Sequence, residues 1–395
     1  MRTLHLPGLL LLAATSAAGC SGDGLSAPHD GSVVDHTVPP DLSPPPPDLA
    51  TPLRDPTAHL PSVRVAFNRG PLMAHPDLVT VVWSGDSQAQ RRADFATWLA
   101  NSTYLDLMDE YGGGRGTAHG PYAITGPPPS SLDDSEVGPL LRARISAGEL
   151  PPPHTDILYI VYLDAATTST LGGGMACQSY EGYHSSTRSG ISTPSEIAYA
   201  IIPDCRTSTD DETVTVSHEV VEAMSDPQPG RGYIANDLPY GEIGDLCTSL
   251  SLYLDSGGDG GASYLVTRFY SNRNAAAGNL DPCVPVPPSP YVYFNASLDP
   301  LIPTLTLDSK NQASAVVLIE PFSFAPAVKR INWRFFVSGI PGVSVSPTQG
   351  SGAPGSTQSV TLRANGSAQA GTYPISLSTS AGGYSNVIYG AVIVQ

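Results

Sequence analysis

The sequence predicts two domains of different class: an α+β domain with helices packed on a mixed sheet, then an all-β sandwich. Three observations carry this. Apolar runs at Leu78–Trp83, Ile157–Leu163 and Glu196–Pro203 alternate with segments of helical period. The run Ser217–Pro227, SHEVVEAMSDP, follows the third of them with polar and apolar residues at helical spacing. Past the Pro-rich stretch 287–290 the chain holds only short alternating runs divided by turn clusters.

Residues 1–20 read as an export signal, with Arg2, a short apolar core at Leu9–Ala18 and the cleavage-like box Ala17-Ala18-Gly19-Cys20. The box resembles that of a bacterial lipoprotein, although Leu is the usual residue where Ala17 stands. The resemblance implies acylation of Cys20. With Ser21 rather than Asp following, it implies an outer-membrane or cell-surface location; secretion is the alternative. Residues 21–61 are a linker of Pro, Asp and Ser with too little apolar content for a core, expected to form an extended stalk. No other run has the length and apolarity of a transmembrane helix.

Residues 62–286 form the first domain. Leu78–Trp83 is a buried strand. Gln88–Tyr111 is helical, with Phe95, Leu99, Leu105 and Met108 at helical spacing and Gly112-Gly113-Gly114 stopping it. Ile157–Leu163 and Glu196–Pro203 are further strands. The motif helix starts with Thr209 and Glu212 as a capping box and with Asp210 and Asp211 in its first turn. Val216, Val220, Ala223 and Met224 form its sheet-facing side, and Pro227 and Pro229-Gly230 end it. The β-branched Thr213–Val216 leaves a strand open at that point. Residues 287–395 are expected to hold strands at Tyr291–Ala296, Ala315–Glu320, Ile331–Val337, Val343–Val345, Ser359–Arg363, Tyr373–Ser378 and Val387–Val394. The stretch from Gly371 to the end resembles bacterial immunoglobulin-like modules, more often spacers or adhesion units than enzymes.

The 395 residues carry a net charge of −17, and lysine occurs only at Lys310 and Lys329. That balance excludes nucleic acid as a partner and disfavours an anionic membrane surface. Cys20 aside, four cysteines remain: Cys177, Cys205, Cys247 and Cys283. An even number suits an oxidising compartment and allows three pairings. Cys177–Cys205 with Cys247–Cys283 is favoured, because each bridge would close a short loop beside the motif helix.

The chemistry centres on that helix. His218 and Glu222 are four apart and share a face, and Glu219 is turned about 100° from His218. A metalloprotease helix of the H-E-x-x-H type needs two ligands on one face and a carboxylate beside them, but here Glu222 stands where the second His would be. H-E-x-x-E alone is more often a solvated helix face than a metal site. Two features favour a metal: the apolar flanks, and the acidic segment Tyr240–Cys247 containing Glu242 and Asp245. Gly-rich loops at 112–114 and 172–174 lack the Lys and Ser/Thr of a phosphate cradle, and Gly-x-Ser-x-Gly is absent. Asp255–Gly261 lacks the oxygen spacing of a calcium loop and reads as a turn.

HEVVEAMSDP, EIGDLC, TRFYSN at Thr267–Asn272 and Asp281-Pro282-Cys283, with MACQSYEGYHSS at Met175–Ser186, resemble the exordium-like (phosphate-induced) secreted family. The resemblance covers roughly Val63–Pro285 and implies a zincin-like fold around the HExxE helix, with a cell-wall association. On this basis His218 and Glu222 are expected as metal ligands, with Asp245 as third ligand and Glu242 as its alternative. Glu219 is expected as general base, and His184 as oxyanion stabiliser or ligand. One zinc ion is expected, with Mn or Ca as oxygen-loving alternatives. One imidazole and two carboxylates leave that zinc formally neutral, which weakens it as a Lewis acid and makes Glu219 matter more. The function expected is an exported, surface-anchored, monomeric zinc hydrolase, most simply a metallopeptidase acting on a peptide or cell-wall substrate. The alternative is a non-catalytic cell-surface or carbohydrate-binding module with a structural metal.

Overall fold

The structure, a computed structural model, describes residues 63–188, 196–205, 208–238, 241–247, 251–255, 263–279, 281–288, 293–323, 328–337 and 339–395. The export signal with Cys20, the stalk at 21–61 and most of the Asp255–Gly261 turn lie outside these residues.

Five strands build the first sheet: β1 (Asp77–Trp83), β2 (Thr117–Ile124), β3 (Ile157–Tyr162), β4 (Tyr183–Arg188) and β5 (Glu196–Ile202). Their order is β2-β1-β3-β5-β4. All neighbours are parallel except β4, which runs antiparallel to β5 and pairs His184 with Ala200. The apolar runs are continuous because both faces are covered. Leu78 and Val82 of β1, Leu158, Ile160 and Tyr162 of β3, and Ala200 and Ile202 of β5 belong to one core. Val79, Val81, Tyr159, Val161, Tyr199 and Ile201 alternate with them into a second.

Helix α1 (Ala89–Asn101) and helix α3 (Thr209–Ser225) cover the first face, and α2 (Asp134–Ser146) the other, through Val137 and Leu141. Phe95 and Leu99 of α1 meet Val216, Val220, Ala223 and Met224 of α3 in one core, the side expected from their spacing. The expected single helix at Gln88–Tyr111 is instead α1 and a separate 3-10 helix at Leu105–Tyr111, with Gly112 in the left-handed conformation after it.

The second domain is a β-sandwich. One sheet has the order Phe294–Asp299, Ala313–Ser323, Gln358–Ala364, Val343–Ser346. The other has the order Thr304–Leu305, Tyr384–Val394, Gly371–Ala381, Ile331–Phe336, Gln349–Gly352. Val317, Ile319, Trp333, Phe335, Val360, Leu362 and Leu377 fill the space between them.

The expected zincin-like α+β fold of the first domain is corrected. The chain is mostly β, with twenty-three strands against four α-helices and two 3-10 helices among the described residues. Its helices lie on both faces of a largely parallel sheet. No helix of the described residues is long and apolar enough to cross a membrane.

A buried ion cluster pins α1 to the start of α3. Arg92, only 5 % exposed, pairs with Glu212 and Asp86 and lies over the Tyr162 ring at 4.6 Å, while Arg91 also reaches Glu212. Truncating one member leaves the other charges buried without their partner. Arg92→Ala is therefore expected to cost about 3–5 kcal/mol of unfolding free energy, read from the urea midpoint. A loss under about 1 kcal/mol would place this cluster with ordinary surface pairs.

Candidate metal centre

Helix α3 positions the motif. The Ser208 hydroxyl caps it, accepting from the Asp211 N–H at 3.2 Å. The cap expected at Thr209 is instead Ser208, one residue earlier, and Glu212 turns to the arginines. Asp210, Asp211 and Glu212 in the first turn complement the helix dipole. The helix stops at Ser225. Asp226 then accepts from the N–H groups of Gly230 (2.6 Å), Arg231 (3.0 Å) and Gly232 (2.6 Å), closing the turn after the helix. The chain is folded back so that 241–247 lies beside the middle of α3. There the Asp245 N–H donates to Glu222 Oε1 at 3.0 Å, the Tyr270 N–H holds the Ile243 carbonyl at 2.8 Å, and the Cys247–Cys283 disulfide anchors the segment. The second disulfide joins Cys177 and Cys205, so the favoured pairing is the observed one.

Two donor sets meet on Glu222. In the first, His218 Nε2 lies 3.1 Å from Glu222 Oε1 and 3.6 Å from Asp245 Oδ1. Two ligands about 2.1 Å from a tetrahedral zinc stand about 3.4 Å apart, so this donor set fits a zinc ion. The second set is His184, Glu219 and Glu222, all buried. His184 Nδ1 is 3.4 Å from Glu219 Oε2 and 3.5 Å from Glu222 Oε2. Its Nε2 donates to the Asp226 carbonyl at 3.1 Å and stands 3.4 Å from Glu242 Oε1, a buried oxygen without a hydrogen bond. Every site residue expected from the sequence is thus in one cluster, but Glu242 sits with His184 and not with His218.

The electrostatics follow from burial. Desolvation opposes charge on both imidazoles. The carboxylates outweigh it, Glu242 foremost for His184 and Glu222 for His218, and hold both well above the usual imidazole range. Burial would also raise Glu222, but His218 and His184 together hold it below the usual carboxylate range. Glu219, Glu242 and Asp245 are pushed up, chiefly by burial. An ionisable carboxyl raised in this way suits a base working near neutral pH.

Three neighbours were not legible in the motif. A Cβ on Gly244 would lie 2.7 Å from Glu222 Oε1 and 2.8 Å from His218 Cε1, and one on Gly182 would lie 3.0 Å from Glu219 Oε1. Both glycines permit close approach to the donors; the Gly in EIGDLC was the available signal. Tyr389 of the sandwich is the third. It lines a cavity of about 170 Å³ with Leu246, Cys247 and Tyr270, and burial, then the Asp245 charge, push its phenol up. Gly244→Ala is expected to weaken ion binding about 10–100-fold, as displaced supporting groups do at metal sites. Competition with a chromogenic chelator measures this, and unchanged affinity would show that the crowding is relieved elsewhere.

No family model and no curated protein matches the chain. Solved structures match parts of it. WR4, a C. elegans MSP family member, is 12% identical at a TM-score of 0.22, covering 25% of this chain and 97% of that one. A PapD-like domain of human CEP192 is 12% identical at 0.21, covering 28% and 87%. The E. coli chaperone DraB is 7% identical at 0.20, covering 26% and 55%. These are immunoglobulin-like β structures, and at such scores they carry no argument about activity.

Proposed function

We propose that this protein is an exported, surface-anchored zinc-dependent hydrolase acting on a peptide or cell-wall substrate, related to the exordium-like family, with Cys20 as its lipid anchor. The observation that supports this reading is the approach of His218 Nε2, Glu222 Oε1 and Asp245 Oδ1 at ligand spacing, with Glu219 on the next helix position. When bound, the zinc would polarise the scissile carbonyl and acidify the attacking water. His218, Glu222 and Asp245 hold the ion. Glu219, 4 % exposed, accepts the proton from the attacking water and returns it to the leaving group. His184 holds Glu219 through Nδ1 and is itself fixed by the Asp226 carbonyl.

The test is metal analysis of the purified chain, followed by an assay on an unstructured protein and on peptidoglycan. About one or more zinc per chain is expected, with hydrolysis lost on chelation and restored by zinc. Metal that binds without any hydrolysis supports the alternative, a surface module in which the ion is structural; no metal at all sinks both.

A further inference from the structure

We propose that the site holds two divalent cations bridged by Glu222, the second bound by His184 Nδ1, Glu219 and Glu222. This deepens the hydrolase reading above and rests on it.

The first argument is the orientation of Glu222. Its Oε1 faces His218 Nε2 at 3.1 Å, and its Oε2 faces His184 Nδ1 at 3.5 Å. A carboxylate that turns one oxygen to each of two imidazoles has the layout of a bridge between metals about 3.5–4 Å apart. The second argument is the tautomer of His184. The Asp226 carbonyl only accepts, so Nε2 carries a hydrogen, and Nδ1 is the atom turned toward Glu219 Oε2 and Glu222 Oε2, where an ion replacing its proton would take the lone pair. Nδ1 lies 3.4 Å from Glu219 Oε2 and 3.5 Å from Glu222 Oε2, and the three atoms lie within 4.8 Å of one another, the spread of donors around one ion. A metal-ligating His also commonly gives its other N–H to a backbone carbonyl.

The third argument is charge. Glu219, Glu222, Glu242 and Asp245 crowd one largely buried site, and the groups facing them include two imidazoles and the Asp245 N–H. The buried arginines are engaged elsewhere, Arg92 with Glu212 and Arg268 with Asp281. Ions bound at His184 Nδ1 and His218 Nε2 displace the imidazole protons, and two divalent ions then balance the four carboxylates when these are ionised. Asp226 lies outside this count because three backbone N–H groups already satisfy it. Glu219 then gives Oε2 to the second ion and keeps Oε1, beneath Gly182, to accept the proton. Mixed imidazole and carboxylate donors suit Zn²⁺ or Mn²⁺.

The experiment uses the full chain, stripped with chelator and titrated with Mn²⁺, with bound metal counted by mass spectrometry and its spectrum read by electron paramagnetic resonance. Two ions per chain with an exchange-coupled spectrum are expected, and His184→Ala should lower the count to one. One ion in the wild type overturns the proposal and leaves the single-ion hydrolase standing. Two ions without coupling overturn the bridge. No bound ion overturns both readings. The wild-type count needs no variant to fold.

Discussion

Glu219→Gln is expected to lower kcat by about 10²–10⁴-fold, the contribution of a well-placed general base. The amide keeps the shape of the side chain and its packing beneath Gly182, but cannot take a proton from water. Because Glu219 is not one of the three donors at His218 Nε2, an ion bound there should remain. Turnover on an identified substrate, paired with metal content, reads both effects. Full activity would remove Glu219 from the chemistry, and loss of all metal would make it an essential ligand of the first ion.

Glu222→Gln has the widest expected effect, since both donor sets share this carboxylate. Ion binding should fail at both imidazoles. The metal-free fold should also weaken, because His218 and His184 favour the ionised form enough to hold Glu222 below the usual carboxylate range. A depressed carboxyl contributes stability above its unfolded pKa and loses it as pH falls through the folded value. At neutral pH the variant should therefore lose about 3–5 kcal/mol, the cost of breaking a buried charged set. The gap should close in strong acid, where the wild-type group is protonated too. Urea unfolding at neutral and acid pH measures this; a gap independent of pH would mean the loss is one of packing.

Much of this was legible in the sequence because it is local. The three apolar runs are strands, since a sheet covered on both faces demands continuous apolar residues. The spacing of Val216, Val220 and Ala223 gave the buried side of α3. Helix α2 was not foreseen, because Gly138 and Pro139 look like breakers; the helix carries Pro139 in its interior, and the capping box of Asp133 and Glu136 was the overlooked signal. Strand β4, YHSSTR, reads as a polar loop, yet its edge position tolerates polar residues and it places His184. The strand Gln349–Gly352, QGSG, has no apolar alternation to find. The partition of Glu242 and Asp245 between two imidazoles depends on how 226–247 folds back, and no spacing rule reports that. The zincin-like α+β expectation failed because a motif borne on one helix says little about the sheets around it.

The cavity that Tyr389 shares with Leu246 and Cys247 bears on how this protein can be taken apart. A chimaera that joins residues 62–286 to another module would leave Leu246, Cys247 and Tyr270, next to Asp245 in the chain, open to water. The carboxy-terminal sandwich is in that sense a wall shared by both domains, and swapping it for another module would have to carry the Tyr389 strand along.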